Sequence, residues 1–144
     1  MLRIKDVLYH KGYDIYSIEQ TATVYSALEE LIARNVGSLV VLDNHGKLCG
    51  LITERDYSRK IALQGRSSRE TQVAEVMSAQ PPSVSPEDSV TSAMELMTNK
   101  FTRHLPVVSN DQIVGIVSIG DLVKAIIQSQ EDTIESLRSY MHAS

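Results

Sequence analysis

The chain holds one cysteine, Cys49, so it cannot close an internal disulfide. No apolar run approaches the roughly 18 residues that a membrane span needs. The N-terminus, Met1-Leu2-Arg3-Ile4-Lys5-Asp6, lacks the apolar segment of a signal peptide. Basic charge is in deficit as well: 14 Lys and Arg stand against 18 Asp and Glu, a net charge of −4. A protein that works by neutralising a nucleic-acid backbone carries the opposite balance. These absences predict a cytoplasmic chain that engages neither nucleic acid nor membrane. Signatures of catalysis are missing too. There is no Gly-x-x-x-x-Gly-Lys-Ser/Thr loop and no Gly-x-Gly-x-x-Gly. His10, His45, His104 and His142 have no metal-ligand spacing, either among themselves or with Cys49, which reads as a buried, inert thiol before Gly50. No nucleophile–base pair stands out along the chain.

What the chain does have is repetition. Its 144 residues, 42% apolar and 22% charged, are those of a globular protein. From Arg103 the sequence reads His104-Leu105-Pro106-Val107-Val108, a polar turn Ser109-Asn110-Asp111-Gln112, then Ile113 to Ser118 and Asp121. Two apolar runs joined by a short polar turn predict a hairpin. The same pattern runs from Val36 through the turn Asn44-His45-Gly46-Lys47 to Asp56. Gly50, Thr53 and Asp56 match Gly115, Ser118 and Asp121 at an offset of 65. Upstream, Val24, Ala27, Glu29 and Leu39 meet Val90, Ala93, Glu95 and Leu105 at an offset of 66, and Ile4 to Leu8 meets Val73 to Met77 at 69. A register kept through two small indels makes the chain two copies of one unit, each near the size limit for burying a core alone.

Periodicity places the elements. Ile15 to Glu19 alternates like a short strand. Val24, Ala27, Leu28, Leu31 and Ile32 form one helical stripe, capped by Thr21 or Thr23 and ended by Asn35 and Gly37. A helix follows Thr53 and runs to about Leu63. Residues 64–72 are a polar connector. Gln80-Pro81-Pro82-Ser83 excludes helix, and Val84 is the strand residue facing the core. Val90, Ala93, Met94 and Met97 mark the next helix. The second hairpin then feeds a helix from Asp121 to about Gln128. A last helix, Glu131 to His142, carries a narrow apolar edge of Ile134, Leu137 and Met141, suited to packing on a neighbour. The expected fold is α/β, or α+β: two βαββα units related by a pseudo-twofold, sheets packed together and helices outside. The units are residues 1–66, with a lead-in at 1–16, and 67–128, followed by a C-terminal helix at 129–144.

The set of motifs, apolar-Pro-Val-Val, turn, Gly-apolar-apolar-Ser/Thr-x-x-Asp, behind a Val-x-x-Ala helix, resembles the CBS domain. The tandem is similar to a CBS pair, or Bateman module, over roughly residues 1–128. With no catalytic domain in the chain, it resembles the stand-alone members, which are commonly small cytoplasmic homodimers. The resemblance implies a non-enzymatic regulatory sensor for an adenosyl ligand, AMP, ADP, ATP or NAD, with S-adenosylmethionine ranked behind them. It also implies a protein target that reads the ligand's effect.

Several residues then become candidates. Thr53-x-x-Asp56 and Ser118-x-x-Asp121 read first as capping boxes. They also read as ligand sites, since a helix start receives phosphate. The resemblance gives the hydroxyls of Ser118 and Thr53 to phosphate and the carboxylates of Asp121 and Asp56 to ribose. Arg103-His104 stands where the first repeat has Gly37-Ser38. It is either a solvated strand end or a phosphate clamp, as at this position in the family. Leu51, Ile116, Val36 and Ser38 fall by family position around an adenine slot, and are otherwise plain core. Arg55 belongs to a basic run with Arg59, Lys60, Arg66 and Arg69, which is either a solvated face or, through Arg55, a contact for a longer diphosphate ligand. Against the sensor stand a scaffold module with no functional ligand and a small hydrolase.

Overall fold

The structure is a computed structural model and describes residues 1–142. Helix α1 (Ile4–Lys11) opens the chain, followed by β1 (Ser17–Glu19), α2 (Val24–Arg34), β2 (Ser38–Leu42), β3 (Leu48–Thr53) and α3 (Glu54–Tyr57). Helix α3 runs straight into a π-helical turn, Ser58–Ala62, instead of continuing as an α-helix to about Leu63. Then come α4 (Val73–Val76), β4 (Ser78–Ala79), α5 (Val90–Lys100), β5 (His104–Ser109), β6 (Gln112–Ser118) and α6 (Ile119–His142). The first sheet has the order β1-β2-β3-β4, with β1 parallel to β2 and the other pairs antiparallel. The second is the hairpin β5–β6, to which Val84 adds one parallel bridge at Val107.

The repeat is visible in the backbone. The Thr23 hydroxyl caps α2 by accepting the Ser26 N–H at 3.1 Å, and the Ser89 hydroxyl caps α5 by accepting that of Ser92 at 3.0 Å. Asn35 and Phe101 end these helices with the same left-handed φ of 53°. Val24, Ala27 and Leu31 are buried, and so are their counterparts Val90, Ala93 and Met97. Both hairpins shift register at one equivalent place, between Val41 and Leu42 and between Val107 and Val108.

Two cores result, and their membership does not follow the division at residue 66. The first gathers Val24, Leu31, Leu39, Val41, Ile52 and Ile61, and α4 closes it with Val73 and Val76. The second gathers Val84, Met97, Leu105, Val107, Val117 and Leu122, and α1 closes it with Ile4, Val7 and Leu8. The lead-in helix therefore belongs by packing to the second unit, while the segment that opens the second unit completes the first. The repeat glycines make room for these helices. A Cβ on Gly115 would lie 2.7 Å from Leu8 Cδ2, and one on Gly50 would collide with the Met77 sulfur.

The opposite faces of the sheets meet each other. Along β2, Leu39 and Val41 enter the first core, while Ser38 and Val40 point the other way and are buried too. Leu51, opposite Val40, is also buried outside either core. His104 marks the contact between units: its Nε2 lies 3.2 Å from where a Cβ on Gly37 would stand. Burial lowers the pKa of His104, with Lys11 and Arg103 adding to the effect and Asp121 and Glu54 opposing it.

Two expectations are corrected. The helical period puts Ile32 on the apolar stripe of α2, yet it is 80% exposed. It stands at the stripe's edge, beyond the reach of the sheet that covers Leu28 and Leu31. The two C-terminal helices are one helix of 24 residues, because nothing between Gln128 and Glu131 breaks it: the stretch has neither glycine nor proline.

Gly115→Ala should cost about 1–3 kcal/mol by overpacking, and clearly less in a Leu8→Ala background, read as non-additive urea midpoints. His104 has a folded pKa below its unfolded value of 6.5. The unfolded chain therefore takes up its proton first, and stability should fall as pH drops below 6.5. Urea denaturation from about pH 7.5 to 5 should show a slope that His104→Asn flattens.

Candidate functional site

Each hairpin delivers its motif hydroxyl and aspartate to a helix start, and each forms the expected capping box. The Ser118 N–H donates to Asp121 Oδ2 at 2.8 Å, and the Asp121 N–H to Ser118 Oγ at 3.1 Å. The Thr53 N–H donates to Asp56 Oδ2 at 3.0 Å, and the Asp56 N–H to Thr53 Oγ1 at 3.2 Å. The preceding strand closes the same helix start from the other side: the Glu54 N–H donates to the Gly37 carbonyl and the Ile119 N–H to the Arg103 carbonyl.

A lysine meets each aspartate. Lys11, the last residue of α1, donates through Nζ to Asp121 Oδ2 at 2.8 Å and to the Ile116 carbonyl at 2.7 Å. Lys60, one turn beyond Asp56, lies 3.3 Å from Asp56 Oδ1 and donates to the Val76 carbonyl at 2.7 Å. Burial would raise the Asp121 pKa. The hydrogen bond from Lys11, the Ser118 N–H and the Lys11 charge outweigh it and hold the carboxyl below its usual range. Asp121 is therefore an anion at neutral pH, already engaged by a cation.

Sequence reasoning left Lys11 out of the site and placed Lys60 only in a basic run, not beside Asp56. Lys11 carries a signal: it is i+7 from Ile4 and i+3 from Leu8, so it continues the buried face of α1 into the site. Lys60 is i+4 from Asp56, a spacing that pairs side chains on one helix face.

The two sides differ. On the second, Asp121 and Lys11 side chains keep 21% and 30% of their exposure, Ile116 is half-buried, and the Arg103 guanidinium is exposed and makes no ion pair among the described residues. His104 lies across the strand pair from Ser118, and desolvation favours its neutral form, so it does not double the charge of Arg103. On the first, Leu51 and Ser38 are buried, Asp56 is buried, and Gly37 supplies no charge. Val36 packs against the first core. Arg55 is exposed and reaches across to the Phe101 carbonyl at 3.5 Å, joining α3 to the end of α5. The structure thus gathers Ser118, Asp121, His104 and Ile116 around Lys11, with Arg103 present at this helix start through its backbone carbonyl, and Thr53, Asp56, Ser38 and Leu51 on the equivalent side. A groove between α1 and the outer part of α6 opens beside the Lys11–Asp121 pair, lined also by Val7, His10, Lys124 and Tyr140. Among the described residues no three His, Cys, Asp or Glu side chains gather as metal ligands, and no helix is long and apolar enough to cross a membrane.

Comparison with known proteins accounts for the repeat. A family model of the CBS domain matches residues 4–63 and again 73–128. The mitochondrial CBS domain-containing protein CBSX3 of Arabidopsis thaliana is 42% identical over 123 residues, which is 83% of this chain. This chain spans only 60% of that relative's length. The CBS domain-containing protein YhcV of Bacillus subtilis is 34% identical over 122 residues, covering 85% of this chain and 84% of YhcV. Among solved structures, a protein with CBS domains from Burkholderia ambifaria aligns with a TM-score of 0.84 at 38% identity, over 89% of this chain and 96% of that one. A hexameric CBS-CP12 protein from bloom-forming cyanobacteria shares the fold with a TM-score of 0.80 at 24% identity, over 99% of this chain and 86% of its own. The two matched segments take in both hairpins, both motif aspartates and the helices that close each core, and the chain belongs to the CBS domain family as a tandem pair of CBS domains.

Proposed function

We propose that the chain is a regulatory module that binds an adenine nucleotide, AMP, ADP, ATP or NAD, on its second side, between the two CBS domains, without turning it over. One observation carries the reading. Asp121 and Lys11 put an anion and a cation in contact at a partly exposed helix start, and the backbone carbonyl of the exposed Arg103 accepts the first N–H of that helix. A nucleotide needs both signs: a carboxylate to accept from its ribose diol and cations to meet its phosphates. The ligand would take Asp121 Oδ2 and draw Lys11 to its phosphate, so one residue moves from a lock to a ligand contact. Because Lys11 ends the helix that closes the second core, that move reaches α1 directly. The first side, with Gly37 in place of a cation and Leu51 closed off, is the weaker site. The working form is a homodimer, the commonest closed assembly of a single chain. Its signal goes to a protein target in the cytoplasm.

A scaffold module without a ligand is the second reading. It is favoured by the same capping boxes, since both aspartates already have structural work.

Thermal unfolding with AMP, ADP, ATP, NAD and S-adenosylmethionine, against GTP, separates the two. Ligand at about 100 times its Kd stabilises by about 2.7 kcal/mol, a shift of roughly 5–10 °C for a chain of this size. Asp121→Asn, which keeps an acceptor for the Ser118 N–H, should abolish the shift while leaving the apo midpoint near wild type. If no nucleotide shifts ligand-free protein, the scaffold reading stands. Lys11→Met should invert the ligand ranking in calorimetry: adenosine binds more tightly once Asp121 is unlocked, and AMP or ATP more weakly for want of the cation.

A further inference from the structure

Helix α6 is longer than its domain requires. Its first turns pack Ile119, Leu122, Ala125 and Ile126 against the second core. From Ile127 to His142 every residue is exposed. Sixteen helical residues extend about 24 Å. A helix of that length is marginal in water without a partner surface. Inside it the Gln128 side chain donates to Asp132 at 2.9 Å, while Glu131, Glu135 and Arg138 make no ion pair among the described residues.

Five exposed apolar residues of α6 fall on one line with Gln130, while Tyr140 stands off it. Val123, Ile127, Gln130, Ile134, Leu137 and Met141 are spaced 4, 3, 4, 3 and 4, the alternation of a coiled-coil seam. Ile127, Ile134 and Met141 take a positions, and Val123, Gln130 and Leu137 take d positions. The seam is continuous from the domain surface, where Val123 is 40% and Ile127 50% exposed, into the free turns, where Ile134 is 50% and Leu137 58% exposed. Its centre lies about 40° and 60° around the helix from Ile119 and Ile126 and about 100° and 160° from Leu122 and Ala125, and from Ile127 onward every seam residue is exposed.

Charge decides what that helix is and how it runs. Against a second copy in antiparallel full overlap, the flanking e positions would set Lys124 beside Arg138 and Glu131 beside Glu131, like against like at every step. Slipping one heptad sets Glu131 beside Arg138 but leaves Val123 and Ile127 uncovered. Buried apolar side chains outweigh exposed ion pairs, so the slipped register loses. Parallel full overlap covers all six seam positions and sets Glu131 against Ile126 and Arg138 against Thr133, with no like charges opposed. Ile127 and Ile134 at a with Leu137 at d are the residue types of a two-stranded parallel pair, and in that register Gln130 at d meets its own copy.

We propose that the outer turns of α6 form a parallel two-stranded coiled coil with the same helix of a second copy of this chain. The two domain pairs then lie on opposite sides of the helix pair and at the same end of it. This rests on the two-copy assembly proposed above and names the surface that makes it.

The test is self-cross-linking of the full chain in a Cys49→Ser background. In a parallel pair each seam residue faces its own copy, so Leu137→Cys should oxidise to a covalent dimer with glutathione disulfide. Asp132→Cys, on the far face of the helix, should not. Leu137→Glu should raise the dimer dissociation constant in sedimentation equilibrium at least tenfold and lower helix content, since the outer turns then lack a partner. A monomeric wild-type chain overturns the assembly and the seam together. A dimeric wild type in which Leu137→Cys and Asp132→Cys cross-link alike overturns the seam and leaves the assembly. Cross-links between Leu137→Cys and Ile127→Cys in a mixture of the two variants, in preference to Leu137→Cys with itself, overturn the parallel orientation.

Discussion

Everything in this molecule depends on two glycines standing where a neighbouring helix presses a side chain onto a strand. Leu8 of α1 fills the space over Gly115, and Met77 after α4 fills the space over Gly50. Neither hairpin has enough apolar surface to hold a core alone; each needs a helix from outside the strand-helix-strand-strand unit to close it. The close approach is possible because no Cβ stands in the way. The cost of glycine in a strand is accepted at one position per repeat, and at that position both repeats have it. The site follows from this packing. Because α1 lies on the second hairpin, its last residue, Lys11, arrives at Asp121.

The two domains share a plan and divide its use. In both, a hydroxyl and a carboxylate cap a helix, and in both a lysine comes to the carboxylate. The lysines arrive by different routes, one from the far end of the chain and one from the same helical segment. At the centre, Gly37 gives the room that His104 takes, so the sharpest difference between the repeats is also a fit between them. Asymmetry here is complementary: two halves built on one plan meet and still present one side that is charged and partly open and another that is closed.

Much of this is legible in the sequence. The offset of the repeats, the hairpins, the caps at Thr23 and Thr53, the end at Asn35 and the isolated strand residue Val84 are local features, and local patterns specify them. Period also tells which residues are buried, but not against what. That is why α1 reads as apolar while its place in the second core does not show, and why Lys11, 110 residues from Asp121, gives no local sign of its partner. Ile32 reads as core because a stripe has no sharp edge on a helical wheel. The join across Gln128 to Glu131 reads as a break only if polarity is taken for a boundary, and polar residues without glycine or proline continue a helix.

The make-up of the two cores bears on how the chain is made. The first core draws on an unbroken stretch from Tyr16 to Met77, whereas the second joins Ile4 to Leu8 with residues beyond Val84. As the chain leaves the ribosome, the first domain has all its parts once α4 emerges. Helix α1, synthesised before any of it, must then wait with Ile4, Val7 and Leu8 uncovered until Leu122 has been added. Residues 4–8, made before any part of the first core, find their place only after it, and the contact closes a loop of more than a hundred residues, the separation of Lys11 and Asp121 being 110. The helix that waits is the same one that carries Lys11 to the site.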